Sequence, residues 1–147
     1  MAGTRRKGRA IALQMLYQAE LNNAPPESLA RFWEEMPSSK AAMAFASELA
    51  AAARAHQPEI DLAVEEVLEN WKLSRLSVVV RNLLRLAVCE MRVLKDTPPQ
   101  VIINEAVELT REFMDEESVK FVNSVLEKCW HAMPGSSTEP YSGNLTP

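Results

Sequence analysis

Glycine is almost missing from this chain of 147 residues: four occur, at positions 3, 8, 135 and 143, and none from Arg9 to Pro134. Primed hairpin turns need a positive φ that glycine supplies most cheaply, which excludes a meander, sandwich or barrel over those residues. Gly-rich phosphate loops of the Walker and dinucleotide types are excluded with them. Cysteine is scarce too. Cys89 and Cys129 lie far apart without CxxC spacing, each inside an apolar helical pattern, and read as buried thiols in a reducing compartment rather than a disulfide framework or half of a zinc site. No run of 18 apolar residues exists, so no membrane-spanning helix is expected. Residues 1–21 are basic and then apolar, like a secretory signal, but Gln14, Gln18 and Glu20 break the apolar run. The Arg5-Arg6 pair is followed by Lys7-Gly8-Arg9 where an export signal's apolar core would start, and the expected location is the cytoplasm.

What is present is ordinary globular material, 47% hydrophobic and 24% charged, enough for one domain with a core. Its charge is unevenly placed. Arg5, Arg6, Lys7 and Arg9 put four cations into the first nine residues, and no acid precedes Glu20. With a formal total of −4, the rest of the chain sets twelve cations against 20 acids and carries −8. A basic end on an acidic body attracts a polyanion at one place and disfavours general coating of nucleic acid.

Helical periodicity runs through most of the chain. A first helix over 4–22 places Ala12, Met15, Leu16 and Ala19 inward, flanked by Leu13, Tyr17 and Leu21, before Pro25-Pro26 stops it. Leu29, Phe32, Trp33 and Met36 mark a short second helix that Pro37 ends. A third, capped by Ser38 or Ser39, carries the stripe Ala42, Phe45, Ala46, Leu49, Ala52, Ala53 and His56. Pro58 opens a fourth with Ile60, Val64, Val67, Leu68 and Trp71 inward. After a connector over 73–77, a fifth helix bears Val80, Leu84, Ala87, Met91 and Leu94, widened by Leu83 and Val88; its all-round apolar character predicts the bundle centre. Thr97 caps and Pro98-Pro99 start a sixth, with Ile102, Ala106, Leu109 and Phe113 on one face and Ile103 and Val107 on the next. Asp115 caps a seventh, with Val119, Val122, Val125, Leu126, Cys129 and Met133 inward. The expected fold is all-α, about seven helices in two small subdomains: three helices over about 4–57 and four over 58–134, together one domain over 1–134. The polar tail 135–147, with little to bury, reads as disordered.

On a helical wheel Arg9, Ala12 and Leu16 all fall within about 40° of Arg5. The stripe that is apolar downstream is therefore basic upstream, and the first turns are expected to project beyond the core into water. Guanidinium groups at a helix N-terminus are mildly unfavourable unless an anion is supplied, an arrangement that suits phosphate. A solvated leader accounts for the same charges, so charge alone leaves both readings open. His56 and His131 have no neighbours at metal-ligand spacing and read as helix-end residues. The acid groups at 65–69 and 115–117 read as solvated surface and a capping turn, and no Ser or Cys stands in a recognisable nucleophile arrangement. Neither enzyme activity, a cofactor nor a metal is expected. Tyr17, Phe121 and Trp130 fit a core at helical spacing, but Phe121 falls to the side of its stripe beside Lys120, where a half-exposed ring suits unpaired RNA.

Three segments together, RRKGRAIALQMLYQAEL (5–21), LLRLAVCEM (83–91) and INEAVELTREF with SVKFVNSVLEK (103–113 and 118–128), resemble the NusB family of bacterial transcription antitermination factors. The resemblance spans about Arg5 to Met133. It implies an all-helical, non-catalytic protein that binds the boxA element of nascent ribosomal RNA through its arginine-rich first helix. It further implies action with the small-subunit ribosomal protein NusE, inside the transcription elongation complex. Carried over by position, Arg5, Arg6, Lys7 and Arg9 meet RNA, with Lys120 and Phe121 nearby, while Tyr17, Glu20, Val80 and Arg81 face the protein partner. Asn104 and Glu105 are expected to form a hydrogen-bonding pair that locks the sixth helix against its neighbours. Departures from the family pattern are Val80 where an acid is common, Cys89 for a tyrosine, and Met114 and Ser124 for glycines, the last leaving open how the turn before Asp115 closes. Two other readings stand beside this one. The chain resembles the helical RNA-recognition domain of ribosomal RNA cytosine methyltransferases, which would make it a fragment, and a helical protein-binding scaffold or homodimer with helix one buried also fits.

Overall fold

The computed structural model of the chain describes residues 2–22, 39–69 and 71–134. The second candidate helix and the polar tail lie outside the described residues. Among the described residues there are six α-helices: α1 (Ala2–Asn22), α2 (Lys40–Ala55), α3 (Gln57–Val67), α4 (Val78–Cys89), α5 (Pro99–Phe113) and α6 (Glu116–Ala132). No strand occurs among the described residues.

Helix boundaries follow local chemistry. The Ser39 hydroxyl accepts the Ala42 N–H at 3.1 Å, Ser77 accepts that of Val80 at 3.2 Å, and the Asp115 carboxylate accepts that of Ser118 at 2.9 Å, each satisfying a first-turn donor. Pro58 sits in the opening turn of α3. The expected Thr97 cap is not made: Pro98 occupies the cap position of α5, and the Thr97 hydroxyl instead receives Arg5. The connector forms a single 3₁₀ turn, Leu73–Arg75. The fifth candidate helix is not uniform, because α4 passes into a π turn over Glu90–Leu94 that Lys95 ends in the left-handed region, at φ 58°. Single π turns of this kind recur at functional sites, and here it begins at a buried acid.

α4 packs against each of the other five helices, as its all-round apolar sequence predicts, and α5 and α6 form an antiparallel hairpin beside it. Buried residues on both sides of Pro58 belong to one connected core, from Ile11 and Leu49 to Leu84, Ile103 and Leu126. Two residues assigned to inward faces lie outside: Phe113, at the end of α5, is 44% exposed, and Trp71 is exposed for a local reason. Trp71 was expected inside, but α3 ends at Val67 and Leu68 is already extended, so helical spacing no longer governs position 71; the indole is 55% exposed.

Candidate nucleic-acid interface

α1 lies unusually close to α2 at its start. A Cβ on Gly8 would meet Phe45 Cδ2 at 2.8 Å and the Ala42 carbonyl oxygen at 3.0 Å, so a residue without a side chain allows the approach. The Phe45 ring then underlies two guanidinium groups, Arg5 at 4.5 Å and Arg9 at 5.5 Å from its centroid.

The tip is not the solvated projection expected from sequence. Arg9 is 7% exposed and forks both oxygens of the buried Glu90 at the π turn, Nε to Oε2 at 2.6 Å and Nη2 to Oε1 at 2.8 Å. Arg6 forks Glu105 of α5, Nε to Oε1 at 2.9 Å and Nη2 to Oε2 at 2.8 Å. Arg5 reaches Asp96 more loosely, at 3.2 and 3.4 Å, and Thr97 Oγ1 at 3.2 Å. The reason is visible in the wheel itself. The arginines share the stripe of Ala12 and Leu16, so the face that packs downstream also meets the bundle upstream, where acids from the π turn to α5 receive it. Hydrogen bonding by Arg5 and Arg6 holds the Asp96 and Glu105 carboxyls below their usual range, and Glu105 raises the Arg6 guanidinium in turn. The Arg6 side chain remains 58% exposed and Lys7 is exposed beside it.

Glu105 therefore does fasten α5, but to α1 and not to Asn104. The Asn104 side chain is exposed and accepts from Gln100 at 3.2 Å within its own helix. Phe121 is partly buried beside the exposed Lys120, as expected, and Trp130 is buried as core. Phe121 does not share a cleft with the arginines. It lines an open groove of about 410 Å³ with Trp71, Arg75, Val80 and Met114. A second cleft of about 360 Å³, lined by Tyr17, Val79 and Phe113, adjoins it through the sequence neighbours Val79–Val80 and Phe113–Met114.

Of the residues expected to face a protein partner, Tyr17 is exposed, whereas Val80 is buried at 6% exposure and forms only groove lining. Glu20 and Arg81 are ion-paired with each other. Glu20 also accepts from Asn82 at 3.0 Å and Arg85 at 3.3 Å, and Arg85 forks Asp61, so this network fastens the end of α1 to α4 and α3. The expected polar partner contact at Glu20 and Arg81 is thus an internal one in this structure.

Sequence reasoning missed three contributors: Glu90, Asp96 and Gly8. Glu90 carried a signal, since a lone acid inside an apolar helix needs a buried cation, but Asp96 carried none. Burial pushes the Cys89 thiol up to about 12 and the Cys129 thiol up to about 11, which leaves neither as a nucleophile at neutral pH. His56 Nδ1 lies 2.7 Å from Glu59 Oε1 at the junction of α2 and α3. Among the described residues no cluster of His, Cys, Asp or Glu is placed to hold a metal, and no helix is long and apolar enough to cross a membrane.

The transcription antitermination protein NusB of Myxococcus xanthus is 43% identical over 131 residues, covering 86% of this chain and 94% of that protein. The crystal structure of antitermination factors NusB and NusE in complex with dsRNA is similar at TM-score 0.78 and 31% identity, over 90% of this chain and 100% of that one. A structure of T. maritima NusB is similar at TM-score 0.75 and 34% identity, over 85% of this chain and 89% of that one. The NusB family model matches residues 6–130, from the second arginine of the tip to the last buried tryptophan, and the chain belongs to the NusB family.

Proposed function

We propose that this chain is a non-enzymatic transcription antitermination factor of the cytoplasm that binds boxA RNA of nascent ribosomal transcripts jointly with NusE. The observation that carries the reading is the cationic face of Arg5, Arg6 and Lys7, set at one end of a chain whose remainder is acidic. The similar NusB and NusE structure was solved with RNA, which supports the same ligand class here. Arg5 and Arg6 offer planar forks suited to phosphate, and Lys7 adds a point charge. Arg9 works from inside, holding the tip on Glu90. Phe121 and the exposed Trp71, with Arg75 and Lys120 at hand, provide surfaces on which unpaired bases stack. The adjoining cleft at Tyr17, Val79 and Phe113 gives NusE an apolar seat.

The test is capture of a ribosomal RNA leader transcript by the full chain, with and without NusE. Weak retention alone that NusE strengthens supports the reading. No retention in either condition overturns it.

A further inference from the structure

We infer that Glu105 and Asp96 occupy, in the free protein, the positions on Arg6 and Arg5 that RNA phosphates take, so that RNA enters by displacing an internal carboxylate. The inference rests on the RNA-binding reading above and deepens it by naming residues that set how readily the tip accepts an anion.

Three observations lead to it. The first is geometry: Arg6 presents to Glu105 the same two parallel N–H groups, at 2.8 and 2.9 Å, that grip a phosphate bidentately. The Nε and Nη2 edge that Glu105 occupies holds one such anion at a time. The second is a gradient of permanence along the helix. Arg9 and Glu90 are both buried and closely bonded, Arg6 is mostly exposed over a largely covered Glu105, and Arg5 and Asp96 are both open and bonded at 3.2 and 3.4 Å. Exchange is therefore available at the outer two arginines and closed at the inner one. The third is that Arg5 keeps a second hold, its guanidinium lying over Phe45, so releasing Asp96 leaves the group in place for a new anion.

The consequence is discrimination. Bare arginines would accept any passing polyanion, whereas arginines already satisfied accept only a ligand that brings further contacts, such as base stacking or a protein partner. Glu105 and Asp96 thus act as specificity-determining residues without touching the RNA.

The experiment is a binding titration of the full chain against a boxA-bearing single-stranded RNA oligonucleotide, with NusE present and absent. Glu105→Gln should tighten binding roughly two- to fivefold, the range expected from an exposed pair, and Asp96→Asn by less. Removing any nearby acid also lightens the field felt by RNA, so Glu112→Gln serves as the control; that acid acts on Arg6 through space and should change affinity least. The deciding arm repeats Glu105→Gln in an Arg6→Ala chain. Loss of the tightening there supports exchange at Arg6. Equal tightening in both backgrounds, or none in either, overturns the inference while RNA binding by the unaltered chain stands. Absence of binding by the unaltered chain, with melting temperatures intact, overturns the RNA reading itself.

Discussion

Arg9 and Arg6 differ by three positions in sequence and by far more in what they hold. Arg9→Ala strips a buried carboxylate of two guanidinium hydrogen bonds and should cost about 3–5 kcal/mol, because an unpaired buried charge is left behind. Replacing the pair together, Arg9→Met with Glu90→Leu, should recover most of that loss. Arg6→Ala removes a mostly exposed guanidinium from Glu105 and should cost much less than Arg9→Ala. Chemical denaturation of the variants checks this ordering; equal losses at Arg6 and Arg9 would contradict the burial argument. Gly8→Ala should destabilise by about 1–3 kcal/mol, since its Cβ contacts a backbone oxygen that cannot move aside, and thermal melting reads the loss directly. Little of this was legible residue by residue beyond the lone acid Glu90 in an apolar helix. The charge run was visible, and so was its alignment with the apolar stripe, but the acids that answer it come from positions more than eighty residues away.

Helices were the most legible scale, because caps and stripes are local. Ser39, Pro58 and Asp115 mark real starts, Ser77 caps α4 although its position reads only as connector, and the stripe on α6 is buried as its spacing predicts. The glycine-free turn between α5 and α6 closes without any positive φ. Met114 is extended at φ −135° and ψ −176°, Asp115 stays extended after it, and the chain reverses through bonds any residue can adopt. Asp115 then caps α6, its carboxyl held below the usual range by the Ser118 N–H, and Arg111 of α5 reaches Glu116 across the turn at 3.3 Å. Asp115→Ala should lower the melting temperature slightly and speed amide exchange in the first turn of α6 while leaving α5 protected. Uniform acceleration across both helices would mean that the cap stabilises the hairpin as a whole. Where spacing misled, at Trp71, the helix had ended; the change of pitch in the π turn keeps Met91 buried, and neither event leaves a periodic trace in sequence.

At the scale of the whole molecule the charge asymmetry read from sequence persists in a changed form. The basic end is not detached from the acidic body; the body's own carboxylates hold it, tightly at Arg9 and loosely toward the terminus. Fold class and family were legible because they rest on local patterns repeated along the chain. The state of the site was not, because it depends on long-range pairing that only packing reveals. That state changes the expected electrostatics. Four cations meeting RNA would give a fall of log K with log salt of roughly −3, but with Arg9 committed to Glu90 the proposed contacting set is Arg5, Arg6 and Lys7. The most direct measurement is the affinity of the full chain for single-stranded boxA RNA between about 50 and 200 mM salt, the range over which such contacts weaken strongly. The predicted slope is about −2, shallower by about 0.7 in Arg6→Ala; a slope near zero, or one that Arg6→Ala leaves unchanged, would contradict the cationic tip as the RNA-binding surface.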